Sequence, residues 1–98
     1  MLVFYLSLLE SESDKLLFTQ IYTEYRDKMY SVAYSILGTK EKAEDAVHES
    51  FLKVIEHLET YKSSSEEEAG RKWLMVITKN TARDIIPTVV NKLTKIKR

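Results

Sequence analysis

The sequence predicts an all-α fold, in the form of a compact three-helix bundle. Only two glycines and one proline occur in 98 residues, which leaves few positions for the tight turns of β-hairpins. Apolar residues instead recur at spacings of three and four in three separate stretches, as on the buried face of a helix. A chain of this length buries roughly 65% of its unfolded surface, enough for one core. We therefore expect one helical domain, 14–86, between an apolar segment, 1–13, and a basic tail or linker, 87–98.

The N-terminal run Met1–Leu9 is apolar, but it ends at Glu10 and has no basic flank. It is shorter than the roughly 20 residues that span a bilayer, so we expect neither a signal peptide nor membrane insertion. We expect its aromatic side chains to pack on the bundle or on a partner. The chain has no cysteine, which excludes disulfides and thiolate metal sites and is compatible with the cytoplasm, the location that we predict.

Two of the predicted helices form a hairpin. The first runs from Asp14 to Leu37, with Ser13 as its N-cap and Gly38 as the left-handed residue at its end. Its predicted buried stripe is Phe18, Ile21, Tyr22, Tyr25, Met29, Val32, Ala33 and Ile36. Thr39 is the predicted N-cap of the second helix. The stripe of that helix is Ala43, Ala46, Val47, Phe51, Val54, Ile55 and Leu58.

The third helix follows an aperiodic loop, 61–65. Ser65 and Glu68 have the spacing of a capping box and so predict its start. Its predicted inward stripe is Trp73, Leu74, Ile77, Thr81 and Ile85. Pro87 is expected to break or restart the helix. Beyond it, a helical period continues within the basic tail through Val89, Val90, Leu93 and Ile96.

The charges are divided unevenly along the chain, although the net charge is zero. Residues 1–70 contain 7 of the 15 basic and 14 of the 15 acidic side chains, so the two parts carry −7 and +7. A split of this kind indicates two partners of opposite character, because the basic part attracts polyanions and the acidic part repels them. Chance segregation of solvated helix faces is the alternative interpretation.

The sequence offers little for catalysis. His48 and His57 lie nine positions apart on one helix and so on opposite faces. Glu44 and His48 stand one turn apart and could offer two metal ligands, but no third or fourth ligand is apparent. Glycine-rich phosphate loops, zinc-protease motifs and nucleophile elbows are also missing from the sequence. We therefore predict no enzyme activity, no cofactor and no metal site.

A polar face lies opposite the apolar stripe of the second helix. It consists of Asp45, His48, Glu49, Leu52 and Glu56. Leu52 is the apolar member of this face and has two interpretations. It is a tolerated surface leucine, or it anchors a helical partner whose basic residues pair with the surrounding carboxylates.

The third helix carries the candidate residues for nucleic-acid binding, and further cations follow in the tail. They are Arg71, Lys72, Lys79, Asn80 and Arg83, then Lys92, Lys95, Lys97 and Arg98. An ordinary solvated face is the alternative, but the density of cations in residues 71–98 favours phosphate binding. Single-stranded and duplex DNA are both compatible with this pattern. Trp73 falls on the apolar stripe, so we expect it in the core rather than stacked on a base.

Three segments, in this order and at these separations, are more specific together than any one alone. They read Phe-Thr-Gln-Ile-Tyr-Thr-Glu-Tyr from Phe18, Ala-Glu-Asp-Ala-Val-His-Glu-Ser-Phe-Leu-Lys-Val from Ala43, and Arg-Lys-Trp-Leu-Met-Val-Ile-Thr-Lys-Asn-Thr-Ala-Arg-Asp from Arg71. From about Phe18 to Asp84, the chain resembles region 2 of the extracytoplasmic-function sigma factors.

The resemblance implies a helical bundle of the sigma region 2 type that binds core RNA polymerase and promoter DNA. The second helix would dock on the clamp coiled coil of the polymerase β′ subunit through Asp45, His48, Glu49 and Leu52, with Glu56 on the same face. The third helix and the loop before it, 61–70, would recognise and help to melt the −10 promoter element on the non-template strand. The residues for this would be Lys79, Asn80, Arg83 and Asp84, joined by the cations Arg71 and Lys72. Polymerase would supply the chemistry, and an anti-sigma factor would be a further partner.

The sequence departs from the family pattern in several places. His48 stands where the family usually has Gln and can gain a charge near neutral pH, so docking is expected to be pH-sensitive. The loop contains Glu66, Glu67 and Glu68, which repel phosphates. The segment Ile85–Thr88 replaces the usual arginine-rich end. The second domain of the family, which reads the −35 element, is not expected within these 98 residues.

A competing hypothesis is a helical protein-interaction module, as a homodimer, without a specific role on DNA. Its interface would combine the apolar run Met1–Leu9 with the stripe in Val89–Ile96. An enzyme built around Glu44 and His48 is the third hypothesis.

Overall fold

The computed structural model describes residues 1–86, and the predicted tail 87–98 lies outside them. Residues 1–86 form five helices. They are α1 (Leu2–Leu6), α2 (Glu12–Leu37), α3 (Lys40–Glu56), α4 (Leu58–Lys62) and α5 (Glu67–Asp84). The long helices α2, α3 and α5 pack against one another, α1 lies on α2 and α3, and α4 bridges α3 and α5. The all-α prediction is confirmed, with two short helices added to the three expected. Within residues 1–86, no helix is long and apolar enough to cross a membrane.

The turn between α2 and α3 forms as predicted. Gly38 has a φ of 77°, in the left-handed region, and its N–H donates to the carbonyl oxygen of Tyr34 at 2.8 Å. Glycine adopts this conformation without a steric cost, which ends α2 cleanly. Thr39 is extended, and its hydroxyl accepts from the N–H of Lys42 at 3.3 Å. Two successive capping residues therefore reverse the chain and set α3 against α2.

The start of α2 differs from the prediction, because Ser11 and not Ser13 is the N-cap. Ser11 has an extended backbone, and its hydroxyl accepts from the N–H of Asp14 at 3.0 Å. The side chain of Asp14 is also ion-paired with Lys62 at the end of α4. The first turn of α2 is thus held by α4, a contact that local sequence does not reveal.

The connection from α3 to α5 also differs from the prediction. His57 leaves the helical region, with φ −117° and ψ 32°, so α3 ends at Glu56 and α4 begins at Leu58. The N-cap of α5 is Glu66, which makes no side-chain capping bond, so the capping box predicted at Ser65 is wrong. Gly70 fixes the approach of α4 to α5, because a Cβ there would lie 2.7 Å from Cε2 of Tyr61.

The core is built mainly from the predicted stripes of α2 and α3. On α2 the buried residues are Phe18, Ile21, Tyr25, Met29 and Ala33, and on α3 they are Ala43, Ala46, Val47, Ser50, Phe51 and Val54. The rings of Phe18 and Phe51 meet edge to face with their centroids 5.6 Å apart. Tyr5 of α1 inserts beside them, 5.5 Å from each ring. Three aromatic rings from three helices therefore meet at this point of the core.

The prediction of the inward face of α5 is correct only in part. Its buried residues are Gly70, Leu74, Thr78, Thr81 and Ala82. Trp73 and Ile77, predicted to point inward, are half-buried at the edge of the core. Small side chains let α5 approach α2 and α3 closely, and the hydroxyl of Thr78 is satisfied by donating to the carbonyl of Leu74 at 2.9 Å. Leu74 fills the core on this face, and Trp73 and Ile77 lie at its flank.

The aromatic contact around Phe51 gives a direct test of the fold. We expect Phe51→Ala to lower the free energy of unfolding by about 3–5 kcal/mol, because it removes a buried ring and leaves a cavity. Tyr34→Ala is the matched control, since this aromatic side chain is exposed, and it should cost less than about 1 kcal/mol. Urea unfolding followed by circular dichroism measures both. Equal losses in the two variants would contradict the described core.

Candidate functional site

The polar residues predicted on α3, Asp45, His48, Glu49, Leu52 and Glu56, are named here the docking face. Asp45, Glu49 and Glu56 are exposed, and the spacing of three and four places them along one side of the helix. Within residues 1–86, none of these three carboxylates has an ion-pair partner. The face therefore presents uncompensated negative charge to solvent, which favours a partner that carries basic side chains.

The apolar member of the docking face, Leu52, is half-buried and packs in part against the core. It is therefore not a stray surface residue, since one side of it already has apolar neighbours. The remaining side is open and lies between exposed carboxylates. This is the arrangement of an apolar centre with a charged rim.

His48 differs from the other members because α1 covers it. The hydroxyl of Tyr5 lies 2.7 Å from Nδ1 of His48, and it donates when the imidazole is neutral and protonated at Nε2. The ring of Phe4 also lies against the imidazole, with the centroids 6.0 Å apart. Burial, with a smaller contribution from Tyr22, raises the pKa of Tyr5 to about 12. His48 is thus half-buried and fixed by a side chain 43 positions away.

A cleft of about 650 Å³ adjoins the docking face, and the sequence did not reveal it. Its wall is formed by side chains of α1, α2 and α3, among them Tyr22, Tyr30 and Phe51. Asp45 and His48 line it as well, so the cleft and the docking face share two residues. Because the lining comes from three helices, only the tertiary fold assembles it.

The cations predicted on α5 lie on two different sides of the helix. Lys72, Lys79 and Arg83 are exposed. They share the outer side of the helix, because Lys79 and Arg83 follow Lys72 by seven and eleven positions, which are close to two and three full turns. Asn80 and Asp84 are also exposed. We name Lys72, Lys79, Asn80 and Arg83 the basic face. Val76, 53% exposed, lies among the three cations.

Arg71 does not belong to the basic face. Its guanidinium lies 3.6 Å from the carboxylate of Glu68, and it shares a polar cleft with Glu24 and Lys28 of α2. Arg71 thus lines the cleft beside α2 rather than the basic face, and its contact with DNA stays a prediction.

The segment 61–70 is acidic and partly helical. Tyr61 lies at the end of α4 with its ring centroid 6.3 Å from that of Trp73. The pKa of Tyr61 is raised above its ordinary value, mainly by burial and to a smaller extent by the nearby charges of Glu24 and Glu67. Glu67 and Glu68 occupy the first turn of α5, where the helix dipole favours negative charge. These carboxylates therefore stabilise the N-terminal end of α5, and Glu68 lies one helical turn before Lys72.

A direct contact links the two helices that carry the faces. Nζ of Lys53 on α3 donates to Oγ1 of Thr81 on α5 at 3.0 Å. Both side chains point into the junction between the helices, since Thr81 is buried and Lys53 is half-buried. This bond adds to the packing of α3 against α5, which sets the position of the docking face relative to the basic face.

The residues considered for a metal do not form a site in the described part of the chain. No three His, Asp or Glu side chains of residues 1–86 are grouped so that they could hold a metal ion. The carboxylate of Glu44 lies 3.9 Å from the ammonium group of Lys40.

Comparison with known families identifies the fold. The model of the sigma-70 region 2 family matches residues 21–87, about two thirds of the chain. The chain belongs to the sigma-70 region 2 family. A search of the curated proteins returned no significant match, and neither did a search of the solved structures. The resemblance stated from the three sequence segments is confirmed at the level of this family.

Membership assigns this sigma region 2 domain a role in RNA polymerase binding and promoter recognition during transcription initiation. The matched residues include all of α3 and α5, and so both the docking face and the basic face. The match begins at Ile21 within α2, which leaves α1 outside it. The contact between α1 and His48 is therefore a feature of this chain that the family match does not include.

The contact between Tyr5 and His48 predicts a pH-dependent effect on stability. Tyr5→Phe should cost about 1 kcal/mol near pH 7, the usual contribution of one hydrogen bond. The pKa of Tyr5 is raised from its ordinary 10.0 to about 12 in the fold, so the neutral hydroxyl stabilises the folded state fully below pH 10. This stabilisation is lost as the pH rises from 10 through 12. The difference between wild type and Tyr5→Phe should therefore shrink and then change sign over that range in urea unfolding, because two pKa units correspond to more than about 1 kcal/mol. A constant difference would contradict the assignment.

Proposed function

We propose that this sigma region 2 domain is of the extracytoplasmic-function type and acts through two separate surfaces. The docking face on α3 binds the clamp coiled coil of the polymerase β′ subunit. The basic face on α5, together with the segment 61–70, recognises the −10 element on the non-template strand and helps to melt it. Polymerase supplies the chemistry, and the domain supplies positioning.

One observation carries this proposal, which is the presence of two exposed faces of opposite charge on two helices of one rigid core. Asp45, Glu49 and Glu56 lie on α3, and the cations Lys72, Lys79 and Arg83 lie on α5. The bond between Lys53 and Thr81 fixes the helices relative to each other. A factor that must hold DNA at a set position on polymerase needs such a fixed relation between its two surfaces.

The chemistry of the docking face favours a helical partner. A helix that crosses α3 can place one apolar side chain against the open side of Leu52 and basic side chains against Asp45 and Glu49. The carboxylates remain at the rim, where they guide association and select against acidic partners. The apolar contact contributes most of the affinity, because rim charges are screened by solvent and salt.

The chemistry of the basic face favours a single DNA strand. Its cations are spaced along one side of α5 and can follow successive phosphates, while Asn80 offers both a donor and an acceptor to a base edge. Glu66, Glu67 and Glu68 repel phosphates at the other end of the helix. Contacts to phosphates should therefore concentrate on the C-terminal half of α5, around Lys79 and Arg83.

Reversal of one charge and truncation of one apolar side chain tests the docking face. We expect Asp45→Arg with Leu52→Ala to weaken binding of core polymerase by about a hundredfold or more, from the loss of an apolar anchor and the repulsion of a basic partner. Biolayer interferometry with purified core polymerase measures the Kd.

The control for this test is Glu10→Arg with Leu16→Ala, which makes the same two changes at exposed positions away from α3. It should bind as the wild type does. Unchanged binding by the Asp45 and Leu52 variant would refute docking through α3.

Salt dependence tests the basic face. We expect single-stranded oligonucleotides that resemble a −10 element to bind weakly, yet more tightly than random ones, with affinity falling steeply as salt rises. Lys79→Ala should lower the slope of log K against log salt by about 0.7, the value for one phosphate contact on a single strand. Lys40→Ala, an exposed cation at the start of α3, is the control and should leave the slope unchanged. Equal affinity for all oligonucleotides in fluorescence anisotropy would leave only non-specific attraction.

A further inference from the structure

The N-terminal segment that contains α1 exposes apolar side chains along one edge. Phe4 of α1 is 48% exposed, and Met1 and Leu8, which lie just before and just after the helix, are 66% and 48% exposed. The three follow one another at spacings of three and four. Tyr5, on the inner side of the same helix, is 2% exposed and reaches the ring of Phe51. The exposed edge is therefore held rigidly on the bundle by a buried anchor. We name Met1, Phe4 and Leu8 the apolar edge.

The apolar edge is continuous with the docking face. The ring of Phe4 lies against the imidazole of His48, at 6.0 Å between centroids. Met1 and Asp45 line the same cleft. A partner that contacts His48 and Asp45 therefore also contacts Phe4 and Met1.

We propose that α1 is part of the polymerase-docking surface, and that its apolar edge packs on apolar side chains of the same helical partner that the carboxylates of α3 attract. This inference rests on the proposed docking through α3. A stable interface buries about 800 Å² on each partner and has an apolar centre. The docking face alone offers only the half-buried Leu52 as such a centre, and the apolar edge enlarges it on the side of His48.

The charges favour this partner over a second copy of the chain. A symmetric dimer through the apolar edge would bring two docking faces to one interface. Each would carry the uncompensated carboxylates of Asp45, Glu49 and Glu56, and like charges at an interface disfavour association. A partner with basic side chains meets the same surface without that cost.

Two variants and one matched control test the proposal. Phe4→Asp and Leu8→Asp place a charge on the apolar edge, and Val3→Asp places the same charge on α1 at a residue that is 82% exposed. Val3 lies about 100° around the helix from Phe4, outside the apolar edge. We expect the two edge variants each to raise the Kd for core polymerase about tenfold, with the control unchanged. Circular dichroism melting verifies that all three are folded.

The other outcomes separate this inference from the proposed function. If the edge variants bind as the wild type does while Asp45→Arg with Leu52→Ala fails to bind, α3 docks without α1 and the inference is wrong. If all three α1 variants weaken binding equally, a general charge effect replaces the edge contact and the inference also fails. If the chain sediments as a dimer that Phe4→Asp converts to a monomer, the edge is a self-interface. If the Asp45 and Leu52 variant binds normally, the proposed docking itself is refuted.

Discussion

The ring of Phe51 lies among three other aromatic rings, those of Tyr22 at 5.1 Å, Tyr5 at 5.5 Å and Phe18 at 5.6 Å. These rings belong to α1, α2 and α3, so this one contact sets the position of all three helices. Because Phe51 points into the bundle, the side chains of α3 on the opposite side, such as Glu49, must point outward. The direction of the docking face is therefore a consequence of how the aromatic rings pack.

The third long helix is positioned by a different type of contact. Small buried side chains such as Thr78 and Ala82 let the backbone of α5 approach α2 and α3. The bond from Lys53 to Thr81 then satisfies two polar groups at the junction. With its inner side fixed in this way, α5 turns Lys79 and Arg83 to solvent. The acidic and basic faces diverge because each lies opposite its own contact with the core, which keeps the two charges from neutralising each other.

The first helix connects the core with the proposed function. Tyr5 contributes both an apolar ring to the aromatic cluster and a hydroxyl to His48. A histidine at this position is therefore not a free surface group, since one ring nitrogen is engaged and Phe4 covers one face of the ring.

The sequence by itself determined the features that depend on neighbouring residues, which are the helical periods of α2 and α3 and the reversal at Gly38 and Thr39. It also determined which polar side chains lie on the outer side of α3, because helical spacing and a known stripe fix the opposite face. The tertiary structure alone decided the start of α2, where Lys62 holds Asp14. It decided likewise the displacement of Trp73 to the edge of the core. The contact of Tyr5 with His48 was also decided by the tertiary structure, because it joins residues 43 positions apart. It depends on which helices pack together, and no local sequence pattern contains that information.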